Sequence, residues 1–417
     1  MSKILISSIG SRGDVQPIFA LALELKALGH DATLCVAPDF KSWIESFGVA
    51  HIPIGPPLKG FSMRAPSGKR IKFSKAQARQ MVSGSVRTQF QVMSEAAKGT
   101  DLIVVGGALQ TAGRSIAEAL KIPYVYAAYC AGTLPSRNHP PPRMRLQLSR
   151  FQSLPRLING LLWTLTERMW SSLFRDPVNE QRKTLGLVPI GTMTRYVYTD
   201  HPWLAADATL APAAPTNDMR IFQTGPWLLR DSTSLHDELE KFLDRGDPPI
   251  YFGFGSTVAP GLTVQTLVKA ARKLGHRAIV SQGWANLELA DTGNDCISIG
   301  DVNHEKLFPR VAAIVHHGGA GTTTAAARAG TPQVIVPQIY DQFYWAHRVE
   351  QLGVGASIQN ISQNVSQNIS EPASDDLANA LRICLTPETV SNARELAGRI
   401  ELNGVSIAAQ RLAREFL

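Results

Sequence analysis

An alternation of strand-like and helix-like stretches, present in both halves of the chain, most constrains its fold. The β-branched run Lys3–Ser8 is followed by helical spacing over Ile18–Leu28 and then by the strand-like stretch HDATLCVA;. Strand, helix and strand at this spacing indicate parallel strands joined by crossover helices. The alternation recurs through DLIVVGG and IPYVYAA, and it restarts at Pro249 with PIYFGFGS, VAAIVHHGG and PQVIVPQ. We therefore predict an α/β protein with two doubly wound, Rossmann-like domains.

The length supports two domains, because 417 residues exceed one ordinary hydrophobic core;. The Ala- and Pro-rich stretch from Ala205 to Trp227 is typical of a domain boundary;. We predict a first domain over residues 1–205, a linker over 206–230 and a second domain over 231–395. Within the first domain, LINGLLWTLTERMW predicts an amphipathic helix that carries two tryptophans.

The net charge of +8 is concentrated in the first half of the chain. Residues 46–94 contain no Asp or Glu and carry eight cations, namely Lys59, Arg64, Lys69, Arg70, Lys72, Lys75, Arg79 and Arg87. Such a region fits an acidic ligand, an anionic membrane surface or a solvated face. It contains no nucleic-acid motif and no aromatic interleaving of the kind that stacked bases need, so we expect no nucleic-acid partner. The short apolar run at the N-terminus predicts a cytoplasmic protein, with contact with a membrane surface left open.

The segment IVHHGGAGTTTAAARAG, residues 314–330, has the composition of a phosphate site. Its glycines allow close backbone approach, and the first N–H groups of a helix starting near Thr322 favour an anion. The segment has neither the G-x-G-x-x-G order nor a Walker lysine. A merely tight strand-to-helix turn would explain the glycines but not His317 beside them. We predict a pyrophosphate site.

Two polar groups follow the next strand. Asp341 is an acceptor-only carboxylate and Gln342 is an amide, a pair able to hold sugar hydroxyls;. Such a pair is common on protein surfaces and is weak evidence by itself. Its position beside the predicted phosphate site supports the prediction that it binds a sugar.

The stretch SSIGSRGDVQP, residues 7–17, permits three interpretations: an adhesion loop, a phosphate-binding turn or a catalytic carboxylate. The Arg-Gly-Asp triplet is too short to be specific and follows a buried strand, which argues against adhesion. Asp14 is also a candidate cap for a helix starting near Pro17. Catalysis and capping are compatible only if the two carboxylate oxygens divide the tasks. Arg12 is predicted to orient Asp14 and keep it ionised.

Several stretches together resemble family 1 glycosyltransferases of the GT-B architecture, most closely sterol glucosyltransferases and bacterial antibiotic-aglycone glycosyltransferases. They are GSRGDVQP, SQGW, VNHEKLF and HHGGAGTTTAAARAGTPQVIVPQIYDQ. The resemblance implies an acceptor-binding first domain and a nucleotide-sugar-binding second domain that face a cleft. It also implies that a C-terminal helix, residues 396–417, packs back on the first domain.

The resemblance further implies roles for individual residues. Asp14 would be the catalytic base and Ser11 and Arg12 would orient it. The donor would be held by Ser256, Trp284, Val302, His317, Gly319, Gly321, Thr322, Asp341 and Gln342. A tryptophan platform for uracil is missing in SIGDVNHEKLF, so Trp284 is its candidate replacement, and uridine and thymidine diphosphates both stay open.

The implied activity is inverting transfer of glucose from UDP-glucose to a hydroxyl of a lipophilic aglycone: a sterol, terpenoid or polyketide. The alternatives are a dTDP-deoxysugar transferase, a sugar-nucleotide epimerase and a catalytically silent nucleotide-sugar-binding partner. An apolar acceptor cleft is expected from LLWTLTERMW with Phe61, Phe73 and Phe90 nearby. The chain has no D-x-D pair for a divalent cation, so we predict a reaction without a metal or cofactor.

Two other sequence features say less about the function. The four cysteines form no C-x-x-C pair, which argues against a zinc site or a disulfide framework;. The repeat QNISQNVSQNIS, residues 359–370, contains three N-x-S sequons and is predicted to be a polar, low-complexity loop of open function.

Overall fold

The computed structural model describes residues 1–58, 73–142, 154–216, 218–255, 262–283, 293–358 and 370–417. The first sheet has seven parallel strands in the order β3-β2-β1-β4-β5-β6-β7. These strands are β1 (Lys3–Ser8), β2 (Asp31–Val36), β3 (Ala50–Pro53), β4 (Leu102–Gly106), β5 (Tyr124–Ala128), β6 (Trp203–Leu204) and β7 (Phe222–Gln223). The accompanying helices are α1 (Arg12–Ala27), α2 (Lys41–Glu45), α3 (Lys75–Ala96), α4 (Gly113–Leu120), α5 (Arg156–Thr184) and α6 (Met193–Tyr198).

The second sheet has six parallel strands in the order β10-β9-β8-β11-β12-β13. They are β8 (Ile250–Gly253), β9 (Ala278–Ser281), β10 (Cys296–Ile299), β11 (Ala313–His316), β12 (Gln333–Ile335) and β13 (Gly355–Ser357). The helices are α7 (Asp237–Asp244), α8 (Val264–Arg272), α9 (His304–Leu307), α10 (Ala320–Ala329), α11 (Gln342–Gln351), α12 (Ser370–Cys384), α13 (Pro387–Ala397) and α14 (Gly404–Phe416).

Both sheets confirm the predicted α/β fold with two Rossmann-like domains. Their strand order reverses between β1 and β4 in the first sheet and between β8 and β11 in the second. Ligands of such sheets bind in the crevice outside the carboxyl ends of the strands at this reversal. The segments that follow β1, β4, β8 and β11 are therefore where a site is expected, and Asp14 and His317 lie in two of them.

Helix α1 begins earlier than the sequence predicted. It starts at Arg12, with Ser11 as its N-cap, and Pro17 lies inside the helix. The prediction placed Pro17 at the start because proline is favoured in the first turn. The pairing of Ser11 with Asp14 instead starts the helix more than a turn earlier, so Asp14 is itself helical.

The chain passes between the domains twice. Strand β7 lies in the segment 206–230 and joins the first sheet, whereas α7 belongs to the second domain. At the other end, α14 packs on α1, and Val405, Ala408 and Leu412 share a buried cluster with the first domain. The two passages touch: a Cβ on Gly404 would stand 2.4 Å from the carbonyl carbon of Gly225. The exact domain boundaries stay predictions.

The domains meet through α11. Its residues Phe343, Tyr344 and Trp345 are buried in a cluster continuous with the core of the first domain. The ring of Tyr344 lies against Gly132, where a Cβ would come within 2.5 Å of it. Arg348 donates hydrogen bonds to the main-chain carbonyls of Leu210 at 2.8 Å and Thr209 at 3.0 Å. The helix that follows the Asp341–Gln342 pair is thus held by both domains.

Among the residues that the structure describes, no helix is long and apolar enough to cross a membrane. Several sequence predictions fall outside the described residues: Ser256, Trp284, Phe61, most of the repeat 359–370, and five of the eight cations of region 46–94.

Candidate active site

Asp14 occupies the third position of α1, immediately beyond β1. Its Oδ2 accepts hydrogen bonds from the Ser11 backbone N–H at 2.8 Å and from the Ser11 hydroxyl at 3.3 Å. A Cβ on Gly10 would stand 2.1 Å from this oxygen, and Gly10 has φ +154°. Oδ1 lies on the other side, 3.7 Å from where a Cβ of Gly107 would be. One oxygen is therefore engaged by the helix cap, and the other faces the end of β4.

The Asp14 carboxyl is a stronger base than a free aspartate. Burial raises its pKa to about 6, and the hydrogen bonds from Ser11 partly oppose that rise. The carboxyl of an unperturbed aspartate has a pKa of about 4. A base whose pKa is closer to neutrality transfers protons more effectively near neutral pH.

Arg12 does not orient Asp14 as predicted. Its guanidinium forms an ion pair with Asp301 of the second domain at 2.7 Å and lies over the Trp43 ring at 4.9 Å. The hydrogen bonds that hold the Asp14 carboxyl come from Ser11 instead. Arg12 therefore spans the two domains rather than fixing the carboxylate.

The glycine-rich turn after β11 is supported by His316. The Gly318 backbone N–H donates to His316 Nδ1 at 3.1 Å, and His316 Nε2 lies 2.9 Å from Gln333 Oε1. Because Nδ1 accepts, Nε2 carries the proton and donates to Gln333. Burial lowers the pKa of His316 to about 3, so it is neutral. His316 shapes the turn, and sequence reasoning assigned it no role.

His317 is the free histidine of the pair. Its Nδ1 is buried without a hydrogen-bond partner among the described residues, and a Cβ on Gly319 would stand 2.6 Å from its Nε2. Its ring also borders Gly255, which follows β8. Burial lowers the pKa of His317 to about 4, so the ligand-free imidazole is neutral. It offers a hydrogen bond to an anion rather than a full positive charge.

Helix α10 opens directly behind this turn, with Gly319 as N-cap and Ala320 as its first residue, two residues before the predicted start. Thr323 and Thr324 donate their hydroxyl hydrogens to the carbonyls of Gly319 and Ala320. The Thr322 hydroxyl has no such bond with a described residue, and a Cβ on Gly321 would meet nothing within 4 Å. The free N–H groups of this turn, together with Thr322, suit an anion.

Asp341 and Gln342 lie at the start of α11. Asp341 Oδ2 accepts a hydrogen bond from Trp345 Nε1 at 3.1 Å. Burial raises the Asp341 pKa to about 7, the Trp345 bond opposes this, and the charge of Asp14 adds to the rise. The negative charge of Asp14 in the first domain therefore disfavours ionisation of Asp341 in the second domain. Gln342 Oε1 accepts from the backbone N–H groups of Gln338 and Ile339, which leaves its amide hydrogens to bind a ligand.

Val302 begins the segment that enters α9. It is partly buried against the hydrophobic cluster that contains Leu307 and Phe308, and the adjacent Asp301 pairs with Arg12. Asn303 caps α9 by accepting from the backbone N–H groups of Glu305 and Lys306. Val302 therefore lies on a fixed turn of the second domain that is tied to the N-terminus of α1.

A small cavity of about 20 Å³ lies in the first domain and is bordered by Tyr340 of the second domain. Its lining residues are Ala108, Thr133, Pro142, Trp163, Thr166, Trp170, Thr194, Tyr198 and Tyr340. Trp163 and Trp170 are the two tryptophans of α5, so the predicted tryptophan-bearing helix contributes to this cavity. Tyr340 comes from the second domain and could not have been found from local sequence pattern.

The geometry agrees with comparisons to known proteins. Residues 4–136 match the glycosyltransferase family 28 N-terminal domain, and residues 267–391 match the C-terminal domain of erythromycin biosynthesis protein CIII-like proteins. The chain is 41% identical over 412 residues to a vancomycin aglycone glucosyltransferase from Amycolatopsis orientalis, covering 98% of this chain and 97% of that one. The chain belongs to the family 1 glycosyltransferases of GT-B fold.

Other relatives of this glycosyltransferase carry different sugars in their names. It is 37% identical over 402 residues to a dTDP-epi-vancosaminyltransferase from the same organism, covering 94% of this chain and 92% of that one. The glycotransferase of kitacinnamycin has the same fold, with a TM-score of 0.71 at 17% identity over 100% and 99% of the two chains. The spinosyn rhamnosyltransferase SpnG complexed with thymidine diphosphate matches with a TM-score of 0.65 at 15% identity, over 99% and 100%.

Proposed function

We propose that this glycosyltransferase transfers glucose from UDP-glucose, with inversion, to a hydroxyl of a lipophilic aglycone. The observation that carries the proposal is the pair of carboxyls at the domain boundary. Asp14 has one oxygen unengaged by the helix cap, and it acts electrostatically on Asp341 at the start of α11. A base on one domain and a sugar-binding group on the other suit a reaction in a cleft between them.

In the proposed reaction, Asp14 Oδ1 takes the proton of the acceptor hydroxyl. The acceptor oxygen then bonds to the anomeric carbon as the bond from that carbon to the diphosphate oxygen breaks. The electron pair of the broken bond leaves with the nucleoside diphosphate. Proton removal becomes easier as the anomeric carbon gains oxocarbenium character, because its attraction acidifies the attacking hydroxyl.

The departing diphosphate would be stabilised by the start of α10. Its free N–H groups, the Thr322 hydroxyl and the His317 imidazole are fixed donors, and fixed donors stabilise developing charge without reorganisation. We propose that no divalent metal is needed, because these groups neutralise the leaving group directly. From the resemblance, we also propose that Ser256, Gly319 and Gly321 contact the pyrophosphate and that Val302 and Trp284 contact the base; Ser256 and Trp284 lie outside the described residues.

The donor sugar would be held by Asp341 and by the amide hydrogens of Gln342. A carboxyl with a pKa of about 7 is present in both protonation states near neutral pH, so it can either accept or donate a hydrogen bond to a sugar hydroxyl.

A thymidine-linked deoxysugar is the second candidate donor. Its support is the identity to the dTDP-epi-vancosaminyltransferase over nearly the whole chain. Both candidates use the same diphosphate contacts, so they differ at the base and the sugar.

The test is mass spectrometry of the purified protein with UDP-glucose or dTDP-glucose and a pooled panel of sterols, terpenoids, flavonoids and macrolactones. We expect a gain of one hexose on one acceptor, retained in EDTA, and a loss of at least 100-fold in Asp14→Asn. Asn keeps the size of the side chain, so a melting temperature within a few degrees excludes misfolding. Loss of turnover in EDTA would refute the metal-free step, and no transfer from either donor would refute the proposed reaction.

A further inference from the structure

A tyrosine hydroxyl holds the main chain of Asp14. Tyr129 directly follows β5, and its hydroxyl donates a hydrogen bond to the main-chain carbonyl of Asp14 at 3.0 Å. Asp14 lies just beyond β1, and β4 lies between β1 and β5 in the sheet. The hydrogen bond therefore joins the first turn of α1 to a strand on the other side of the point where the strand order reverses.

The tyrosine ring reaches α1 by crossing the last residue of β4, which is Gly106. Gly106 pairs with Ser8 at the end of β1 and with Ala127 in β5. A Cβ on Gly106 would overlap the hydroxyl oxygen of Tyr129 and would stand 2.8 Å from Cγ2 of Ile18 in α1. The lack of a side chain at Gly106 therefore provides the space that the tyrosine hydroxyl occupies.

The first turn of α1 is a weak stretch of helix. It contains Gly13, and glycine is among the least favourable residues inside a helix;. Pro17 also lies inside α1 and has no N–H to donate to the Gly13 carbonyl, four residues earlier;. The Tyr129 hydroxyl donates to the next carbonyl along the chain, that of Asp14. Tyr129 thus supplies an anchor from outside the helix beside the position where a helical hydrogen bond is missing.

The Tyr129 hydroxyl keeps its proton at the pH values at which Asp14 titrates. Burial and the negative charge of Asp14 raise the pKa of Tyr129 well above its ordinary value of about 10, and the Ser8 hydroxyl opposes part of this rise;. The hydroxyl is therefore a permanent donor to the Asp14 carbonyl. Loss of this donor should not change the pH at which activity falls.

Asp14 is fixed both at its side chain and at its main chain. Ser11 holds Oδ2 of the carboxyl, and Tyr129 holds the main-chain carbonyl. The remaining oxygen, Oδ1, then faces Gly107. A misplacement of about 1 Å can reduce the rate of an enzyme on the order of 100-fold, so the position of a base affects the rate independently of its pKa.

We propose that Tyr129 is a positioning residue for glycosyl transfer: its hydroxyl fixes the backbone of Asp14, and Gly106 leaves room for that hydroxyl. The proposal rests on the proposed function, because it takes Asp14 as the base. Tyr129 contacts neither the donor nor the acceptor in this proposal, so it affects the rate of transfer and not the affinity for UDP.

The test compares Tyr129→Phe with Tyr196→Phe. Tyr196 is the matched control, since its hydroxyl also donates to a main-chain carbonyl, that of Thr111 at 2.8 Å. With UDP-glucose or dTDP-glucose and the pooled acceptors, Tyr129→Phe should lower the initial rate of hexose transfer about tenfold. The acidic limb of the pH profile and the affinity for UDP should stay unchanged. Tyr196→Phe should lower the melting temperature and keep the rate within about twofold.

Tyr129→Phe combined with Asp14→Asn separates positioning from a general effect on structure. Once the base is removed its position no longer affects the rate, so the double variant should match Asp14→Asn within about twofold. A further loss of about tenfold in the double variant, or an unchanged rate in Tyr129→Phe, would overturn the inference and leave the proposed reaction standing. An unchanged rate in Asp14→Asn would instead refute the proposed base, and with it the positioning role.

Amide hydrogen exchange followed by mass spectrometry tests the anchor without any transfer reaction. The N–H groups of Asp14 and Val15 donate to the Ser11 carbonyl in the first turn of α1. Tyr129→Phe should speed their exchange about threefold or more, because local opening becomes easier, while exchange in α10 stays the same. Tyr196→Phe should leave the exchange of this turn unchanged. Equal exchange of this turn in Tyr129→Phe and in the unmodified protein would overturn the inference.

Discussion

At the scale of single residues, the two carboxylate oxygens of Asp14 have different roles. Oδ2 accepts both hydrogen bonds from Ser11 and closes the N-terminus of α1, whereas Oδ1 faces Gly107. The sequence left capping and catalysis as competing roles for this carboxyl. The geometry makes them compatible, because the cap leaves one oxygen for proton transfer.

The pH dependence of kcat/KM should report the ionisation of Asp14. Since burial raises its pKa to about 6, the base is protonated below that pH and activity should fall as the pH drops through 6;. Asp341 has the higher pKa, so it is still protonated when Asp14 ionises. Asp341→Asn should therefore reduce activity without moving the acidic limb, as measured in a pH series.

Ser11→Ala, unlike Asp341→Asn, should move the acidic limb of the pH profile of kcat/KM. It removes the hydroxyl that lowers the pKa of Asp14, so the acidic limb should move to higher pH;. A limb centred below pH 5 in the unmodified protein would contradict the assignment of Asp14 as the base.

Residue-level sequence reasoning succeeded where the partner was near in the chain and failed where it was distant. The closeness of Ser11 to Asp14 is a local capping pattern, three residues apart. Arg12 was assigned to Asp14 because the two are neighbours, yet its ion-pair partner Asp301 is 289 residues away. The neutral state of His317 likewise depends on burial by the folded turn, which spacing alone does not reveal.

At the scale of elements, the three successive threonines of α10 have different tasks. Thr323 and Thr324 donate to carbonyls of their own helix, and Thr322 has its hydroxyl free of such bonds. Their adjacency in sequence hides this difference, since which threonine is free depends on where the helix begins.

Thr322→Val should weaken UDP binding about tenfold, because a hydrogen bond to a charged group contributes roughly 1.5 kcal/mol or more. Thr324→Val is the matched control: it removes a hydroxyl 2.8 Å from the Ala320 carbonyl and should lower stability by about 1 kcal/mol with UDP affinity unchanged;. Calorimetric titration and thermal melting separate the two effects. Equal UDP affinity in both variants would remove Thr322 from the pyrophosphate site.

The strands were easier to predict than the helix starts. Buried parallel strands read as continuous apolar runs, which a sequence displays directly. Helix starts depend on capping geometry, so α1 and α10 each began ahead of the position that Pro17 and Thr322 suggested. The tryptophans that line the cavity were predicted to lie together on the amphipathic helix α5. Tyr340 was not predicted to join them, because it is distant in sequence and is brought there by the fold.

At the scale of the whole molecule, α11 joins the domains and bears the donor-side carboxyl at its start. Arg348 is its polar anchor, with two hydrogen bonds to carbonyls of the first domain. Because the same helix positions Asp341, the domain interface and the proposed sugar contact are mechanically one unit.

Arg348→Leu should leave the carbonyls of Thr209 and Leu210 without these donors and lower the free energy of unfolding by about 1–3 kcal/mol;. We expect kcat for transfer to fall while UDP affinity, which depends on α10, stays within twofold. Arg328→Leu is the control, since Arg328 pairs with Glu305 inside the second domain. Denaturant unfolding and steady-state kinetics of both variants test this prediction. Equal effects on kcat would rule out a special role for the interface.

The contact between Gly225 and Gly404 has a further consequence. The two passages between domains run side by side there, with no room for a Cβ on Gly404 between them. We expect two attachments at one place to act as a single pivot, about which the domains would open more readily than they would slide past each other. When the domains open to admit or release a ligand, the cleft would then widen most at the end farthest from the pivot.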